Sequence, residues 1–560
     1  MSSRFAQIAL RWCASLSQVL PTSVLILLLC DPAWGQSGAL TEVPAGAELS
    51  APRLFRRCYA QLTGEVPARK SPLTQSVGRG EIDPIELCIS VLYRTQTDDS
   101  TGEVELDVGS RSDLNDTQSL SVLKQLTPEQ QRSLARAVFR QLHSVHQSWF
   151  KVDRLDSVYK GSTGHYQFQD ALYDEAEPAL SVDRVVFSES QLRFDQVLKG
   201  SQEIQAIRSQ GAFDLGGMNL NSTLTLDVFS LLKGGASSYP FGVQRGELLG
   251  VQETPTSSQR RTADFPLYDP ATNILQSNRK LATHLGGGIL GSSSYLLLNL
   301  DRNIQSTADG GVILPRAFAR TVLEDFLCKG TPPVRIEDAI NSVRSQSNLA
   351  FRQNATCMAC HASLDAFAGV VRNVEIIEHR KIKLASGSFA NSGCERSDGR
   401  SLGTGPCGSF HVRVNEASQG AQDILGIDED PKYRLRPADG KLYFRSYDGS
   451  LIQSVVKGLP SMAEAMANTP DLYTCAAKRY FQYFTGIGAN LEEEGVFISG
   501  RPSMADRSYR DQVIQIGLGL KNDPQQSVKH IISQILRSPI YRSPAMREVE
   551  AVITPQEETL

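Results

Sequence analysis

Apolar residues recur at helical spacing in several long segments of the chain. In "LTPEQQRSLARAVFRQLHSVHQSWF", Thr127 can cap a helix, Pro128 suits the first helical position, and apolar residues follow three or four positions apart. The same spacing runs through "PSMAEAMANTPDLYTCAAKRYFQYF" and "VKHIISQILRSPIY", which follow a predicted turn at "SYDGS". These patterns predict a mainly α-helical protein.

The pattern also divides the 560 residues into parts. Residues 36–150 form an N-terminal helical region, and residues 151–348 form a middle domain with short alternating runs such as "RVVFS" and "LTLDVFSLL". Residues 349–543 hold the later helical segments, interrupted by a Gly- and Ser-rich loop insertion at 380–436, and residues 544–560 form a tail. Because the chain is too long for one ordinary core, we expect a multidomain protein.

The first 35 residues have the pattern of an export signal. Arg4 and Arg11 provide a positive start, and the segment from Val19 to Cys30 is an apolar run of about a dozen residues. A run of this length is too short to span a bilayer comfortably. We therefore expect residues 1–35 to be a signal peptide and the mature chain to have no transmembrane span.

Small residues follow the apolar run where a signal peptidase would cut. Ala33 and Gly35 occupy those positions, which predicts a mature chain that begins at Gln36. Lipid attachment through Cys30 is the weaker alternative, because Leu29 stands where such signals usually have a small residue. A periplasmic or secreted location is the favoured prediction.

Composition and charge narrow the classes of partner. A hydrophobic content of 41% is typical of a globular protein. The formal net charge is −4 and the chain has no long basic run, which argues against nucleic acid as the main partner.

Removal of residues 1–35 leaves eight cysteines in a compartment that permits disulfides, namely Cys58, Cys88, Cys328, Cys357, Cys360, Cys394, Cys407 and Cys475.

The segment "NATCMACHASLD" contains the spacing C-x-x-C-H that covalent attachment of a c-type haem requires. We predict that Cys357 and Cys360 anchor one haem c and that His361 binds its iron. Six other cysteines remain, an even number that permits three disulfides. Cys394 and Cys407 lie about a dozen residues apart across a Gly-rich loop, and we expect them to pair.

Three other interpretations of this segment stay open. Cys394 and Cys407 could complete a four-thiolate zinc site, although they are too far apart to form a second close-spaced pair. The segment could also be a redox dithiol, although no convincing βαβ pattern precedes it. The plainest interpretation is two cysteines in ordinary disulfides beside a surface histidine. The export signal and the even number of remaining cysteines favour haem.

Two pairs of residues at helical spacing are further candidates for metal ligands. Met462 is the best candidate for the second axial ligand of the iron, but Met462 and Met466 are four apart on one helical face, which core packing also explains. A methionine ligand would suit electron transfer, and an open face would suit peroxide or oxygen chemistry. His143 and His146 share a helix face, and a solvated or packed pair is favoured over a metal site.

Two longer stretches resemble a known family. "LPRAFARTVLEDFLCKGTPPVRIEDA" followed by "FRQNATCMACHASLDAFAGVV", and the later "GKLYFRSYDG" and "GLPSMAEAMANTPDLYTCAAKRYFQYFTG", resemble the multidomain exported cytochrome c-like proteins of unknown function of planctomycetes and myxobacteria. The resemblance covers about Gly286 to Tyr541 and implies a helical, C-terminal cytochrome c-like domain with one covalent haem. It also implies that Cys328 and Cys475 are recurring non-haem cysteines. The family's "HxxxDPxGxxxENFD" pattern appears here as "HASLDAFAGVVRNVE", which keeps Asp365 and loses the proline.

These observations favour one function and leave two alternatives. The favoured hypothesis is an exported single-haem c-type cytochrome that transfers electrons with an unidentified redox partner. The first alternative is a haem enzyme that acts on peroxide or an organic substrate at an open iron face. The second is a disulfide-stapled envelope binding protein without haem.

Overall fold

The fold is known from a computed structural model. It describes residues 48–109, 114, 116–150, 176–202, 204–209, 247–253, 267–269, 274–276, 285–300, 315–378, 381–383, 389–391, 410–414, 417–420, 430, 432–492 and 504–544. They belong to one compact unit, Gly46–Leu560. The predicted signal peptide, the run "LTLDVFSLL" and the predicted Cys394–Cys407 pair lie outside these residues and stay predictions.

Helices dominate the described part of the chain, which confirms the mainly α-helical prediction. The helices are α1 (Ala51–Thr63), α2 (Pro72–Gly78), α3 (Pro84–Arg94), α4 (Thr117–Leu123), α5 (Pro128–Phe150), α6 (Glu177–Phe187), α7 (Gln196–Lys199), α8 (Ser293–Asn299), α9 (Arg316–Leu327), α10 (Ile336–Ala339), α11 (Ala355–Ala368), α12 (Gly458–Ala467), α13 (Pro470–Thr485), α14 (Met504–Asn522), α15 (Val528–Arg537) and α16 (Pro539–Arg542).

Strands are short and pair in small antiparallel sheets. The strands are β1 (Thr95–Thr97), β2 (Val104–Leu106), β3 (Ile204–Arg208), β4 (Leu248–Glu253), β5 (Leu267–Asp269), β6 (Ile274–Gln276), β7 (Val374–Glu378), β8 (Lys381–Lys383), β9 (Phe389–Asn391), β10 (Phe410–Val414), β11 (Asp439–Arg445) and β12 (Leu451–Lys457). β11 and β12 pair from Asp439 opposite Lys457 to Arg445 opposite Leu451, so "SYDGS" is the predicted turn of a hairpin.

The helix predicted from Thr127 forms as α5. The Gln130 amide donates to the Thr127 side chain at 3.3 Å, and the Thr127 amide donates to the Gln130 side-chain oxygen at 2.9 Å. This reciprocal capping satisfies two N–H groups that the first turn of a helix leaves unpaired. The alternating run "RVVFS", by contrast, does not form a strand, because Arg184 to Phe187 complete α6.

The late helical segments also form where the pattern predicts them, as α12, α13 and α15. The first segment divides into α12 and α13 at Asn468 and Thr469, before Pro470. Proline has no amide N–H and its ring disfavours helical geometry in the preceding residue, so one helix ends and the next begins here.

Residues from all three predicted regions, 36–150, 151–348 and 349–543, contribute to one large hydrophobic core. Near the two ends of the described chain, Leu49 donates its amide to the Arg542 carbonyl at 3.0 Å, and Arg57 Nη1 donates to the Tyr541 carbonyl at 2.6 Å. Gln61 Oε1 accepts a hydrogen bond from the Tyr541 hydroxyl at 2.6 Å. The predicted domain boundaries stay predictions, but residues on either side of them pack together.

Two disulfides are present among the described residues, which is compatible with the predicted export. Cys58 pairs with Cys88 and joins α1 to α3, and Cys328 pairs with Cys475 and joins the end of α9 to α13. The second pair consists of the two cysteines that the family resemblance marks as recurring. In the part of the chain that the structure describes, no helix combines the length and apolar character needed to cross a membrane.

Candidate functional site

Helix α11 carries the C-x-x-C-H segment. Asn354 precedes the helix in extended conformation, and its side-chain oxygen accepts a hydrogen bond from the Thr356 amide at 2.8 Å. Residues three and four positions apart lie on the same side of a helix, so Cys357, Cys360 and His361 share one face. All three are partly exposed, which leaves this face accessible.

The opposite face of α11 fixes the helix to the protein. Met358, Ala359 and Ala362 are buried in a small cluster with residues of α10 and β11. The Ser363 hydroxyl donates to the backbone carbonyl of Tyr443 on β11. Small side chains let the helix approach the hairpin closely, so the accessible face is held by a rigid support.

The two motif cysteines are free in the structure. Burial raises the pKa of the Cys360 thiol, and the neighbouring Cys357 raises it further. A raised pKa disfavours the thiolate, which is the nucleophilic form, and this weakens the redox-dithiol interpretation. No cluster of three or more metal-binding side chains is found among the described residues, but two cysteines of the alternative zinc site lie outside them.

The imidazole of His361 has one buried and one accessible side. Its side chain is 25% exposed, yet Nδ1 is buried and makes no hydrogen bond in the described structure. The carboxylate oxygen Oδ1 of Asp365, one turn further along α11, lies 3.5 Å from Nδ1. The Phe351 ring packs on the imidazole with centroids 4.2 Å apart. The exposed part of the ring therefore lies away from Nδ1.

Asp365 is completely buried and is held by two arginines. Arg316 on α9 donates to both carboxylate oxygens, with Nη2 3.1 Å from Oδ2, and Arg352 Nη2 lies 2.8 Å from Oδ2. Burial by itself would raise the pKa of Asp365, but His361, Arg316 and Arg352 outweigh it and hold that pKa below its usual value. The carboxylate is therefore ionised and its negative charge is compensated.

Phe351 connects these charged groups to the histidine. The guanidinium carbons of Arg316 and Arg352 lie 5.1 Å and 5.3 Å from its ring centroid. The ring therefore contacts both arginines and the imidazole of His361. Such contacts restrict rotation of the imidazole.

This donor set fits the predicted covalent haem. Two accessible thiols stand at the required spacing on one face, and the imidazole beside them keeps an accessible edge. Metal-bound histidines usually donate their other ring N–H to a carboxylate, a carbonyl or water, and Asp365 is the carboxylate within reach of Nδ1.

Met462, the predicted second axial ligand, has a completely buried side chain. Its helix, α12, packs mainly on α7, β11, β12 and two short 3-10 helices, Gly288–Gly291 and Gly369–Val371. Met466 is equally buried in the same core. This placement supports the packing explanation, and the role of Met462 as a ligand stays a prediction.

His143 and His146 form a packed pair around a residue that sequence spacing did not indicate. Both Nδ1 atoms lie 2.5 Å from the carboxylate of Asp183 on α6, and His146 Nε2 and the Tyr480 hydroxyl are hydrogen-bonded at 2.7 Å. Asp183, His146 and Tyr480 are completely buried, and His143 nearly so.

Helical spacing could have identified Asp365, because it lies four residues after His361. No such signal marks Arg316, Arg352 or Phe351.

Comparison of the chain with protein family models, curated proteins and solved structures finds no match. The function is therefore inferred from the site itself.

Proposed function

We propose that this chain is an exported c-type cytochrome with one covalent haem, which transfers electrons with a redox partner that is not identified. The observation that carries the proposal is the shared accessible face of α11, where two free thiols stand beside an imidazole. The exported location is part of the proposal and is supported by the two disulfides.

Each residue of this face would have a defined task. Cys357 and Cys360 would hold the haem through thioether bonds, and His361 would bind the iron through Nε2 because Nδ1 faces Asp365. A bound haem would supply one-electron redox chemistry at its iron. The packing of α11 on β11 and the contact with the Phe351 ring hold the His361 imidazole in one orientation.

Haem attachment is tested by expressing the full chain in a host with working haem-attachment machinery. We expect a denaturing gel to show haem-dependent peroxidase staining and intact mass to show one added haem. Cys357→Ala combined with Cys360→Ala should abolish both signals. Thr356→Ala is the matched control, because it changes an exposed residue of the same helix and keeps both thiols. An unstained wild-type protein would refute the proposal and favour the envelope binding protein without haem.

A haem enzyme with an open iron face is the second candidate, and the burial of Met462 favours it. Met462→Leu keeps nearly the same volume and removes the sulfur, and Met466→Leu is the matched control on the same helix. If Met462 binds the iron, only Met462→Leu should convert a low-spin spectrum to a high-spin one. Rapid binding of carbon monoxide by the reduced wild type would favour the enzyme over the electron carrier.

A further inference from the structure

We propose that Asp365, with Arg316 and Arg352, is a positioning group that orients His361 and sets the reduction potential of an iron bound to it. This inference rests on the proposed function and deepens it. It names the residues that would regulate the same site.

The orientation follows from the geometry of the imidazole. Nδ1 is buried without a hydrogen bond in the described structure, and Asp365 Oδ1 lies 3.5 Å away, slightly beyond a good hydrogen-bond distance. A small rotation of the ring would make Nδ1–H donate to that oxygen. The proton would then be fixed on Nδ1, and the lone pair of Nε2 would face the accessible side.

The charges of Asp365, Arg316 and Arg352 determine whether each residue raises or lowers the reduction potential of a bound iron. A carboxylate that accepts a hydrogen bond from Nδ1–H makes the imidazole a stronger electron donor and favours ferric iron. Two positively charged guanidinium groups contact this one carboxylate. Positive charge near the iron favours the ferrous state. The carboxylate and the arginines therefore act in opposite directions.

Because the carboxylate and the arginines act in opposite directions, their variants should shift the reduction potential with opposite signs. A purely structural role would not produce this pattern. In the haem-loaded protein, Asp365→Asn removes the negative charge with little change in size and should raise the reduction potential. Arg316→Gln removes a positive charge and should lower it, by a smaller amount because the Arg316 side chain is 30% exposed and screened by water. Shifts of the same sign in both variants, or no shift in either, would overturn the proposal.

Two further variants serve as controls. Arg320→Gln removes the same charge from the same helix, four residues along α9, where the side chain is 54% exposed and pairs with Glu324. We expect it to leave the potential unchanged. Arg316→Lys keeps the charge and should stay close to the wild-type potential. This arginine series tests the proposal even if Asp365→Asn does not fold.

The orientation can be measured without haem. In the haem-free full chain, nitrogen NMR at alkaline pH distinguishes the two neutral imidazole tautomers, and His361→Gln identifies the signal of interest. We expect the proton on Nδ1, whereas a proton on Nε2 would overturn the positioning role. If wild-type protein attaches no haem, the proposed function fails but this measurement still decides the role of Asp365.

Discussion

Two buried carboxylates in this molecule lie beside histidine side chains, and the two clusters differ in what compensates the charge. Asp365 is compensated by two arginines, and its histidine, His361, keeps an accessible edge. Asp183 is compensated by His143 and His146, which both approach it at 2.5 Å.

The difference shows how the same residue types acquire different roles. Around Asp183 each Nδ1 is committed to the carboxylate, and His146 Nε2 is also hydrogen-bonded to the Tyr480 hydroxyl. Burial and the charge of Asp183 both raise the pKa of Tyr480, which keeps the phenol protonated. This cluster is closed and stabilises the core. Around Asp365 the arginines carry the charge compensation, so His361 stays available to a ligand.

The largest expected effect comes from breaking the closed cluster. Asp183→Asn removes the charge that both histidines contact and should lower the free energy of unfolding by roughly 3–5 kcal/mol, the usual cost of removing one partner of a buried ion pair. Denaturation in urea would measure this effect. Asp511→Asn, at a side chain that is 71% exposed, should change stability by less than about 0.5 kcal/mol. A similar small effect in both variants would contradict the assignment.

A smaller loss should follow removal of one hydroxyl group. Tyr480→Phe leaves His146 Nε2 buried without its hydrogen-bond partner and should cost about 1–3 kcal/mol. A double-mutant cycle with His146→Gln checks that the loss belongs to this contact. Additive effects of the two substitutions would show that the contact contributes nothing.

The closed cluster should also make stability depend on pH in the acid range. Burial would raise the pKa of Asp183, but the charges and hydrogen bonds of the two histidines lower it below its ordinary value of 3.8. A lowered pKa in the folded state stabilises the protein above about pH 4, and this contribution is lost as the pH falls further. Wild type should therefore lose up to about 1.4 kcal/mol more per pH unit than Asp183→Asn. Parallel curves from urea titrations between pH 3 and 6 would contradict this.

The smallest effect on stability is expected at the accessible cluster. His361→Gln removes a partly exposed ring whose main contact is Phe351, so the free energy of unfolding of the haem-free chain should fall by less than about 1 kcal/mol. Thermal unfolding alongside the exposed control His530→Gln would measure it. A loss as large as that of Asp183→Asn would mean that His361 is a core residue rather than a ligand.

Local patterns can predict features that depend on residues close together in the chain, and helix α5 starts at the predicted cap. The separation of α12 from α13 before Pro470 and the shared helix face of Cys357, Cys360 and His361 are equally local, but neither was predicted. These features follow from backbone hydrogen bonds and steric limits that act over a few residues. The run "RVVFS" shows the limit of such patterns, because a short apolar run suits both a strand and a buried helix end, and here it completes α6.

The sequence by itself determined the mainly helical character of the protein and the C-x-x-C-H spacing of two thiols and an imidazole. Only the tertiary structure decided which cysteines pair and which charges surround each histidine. Arg316 is 49 residues from Asp365, and Asp183 is 40 residues from His143, yet both pairs are in contact. Such partners meet because the apolar faces of their helices pack together, and burial then requires each charge to find a compensating one.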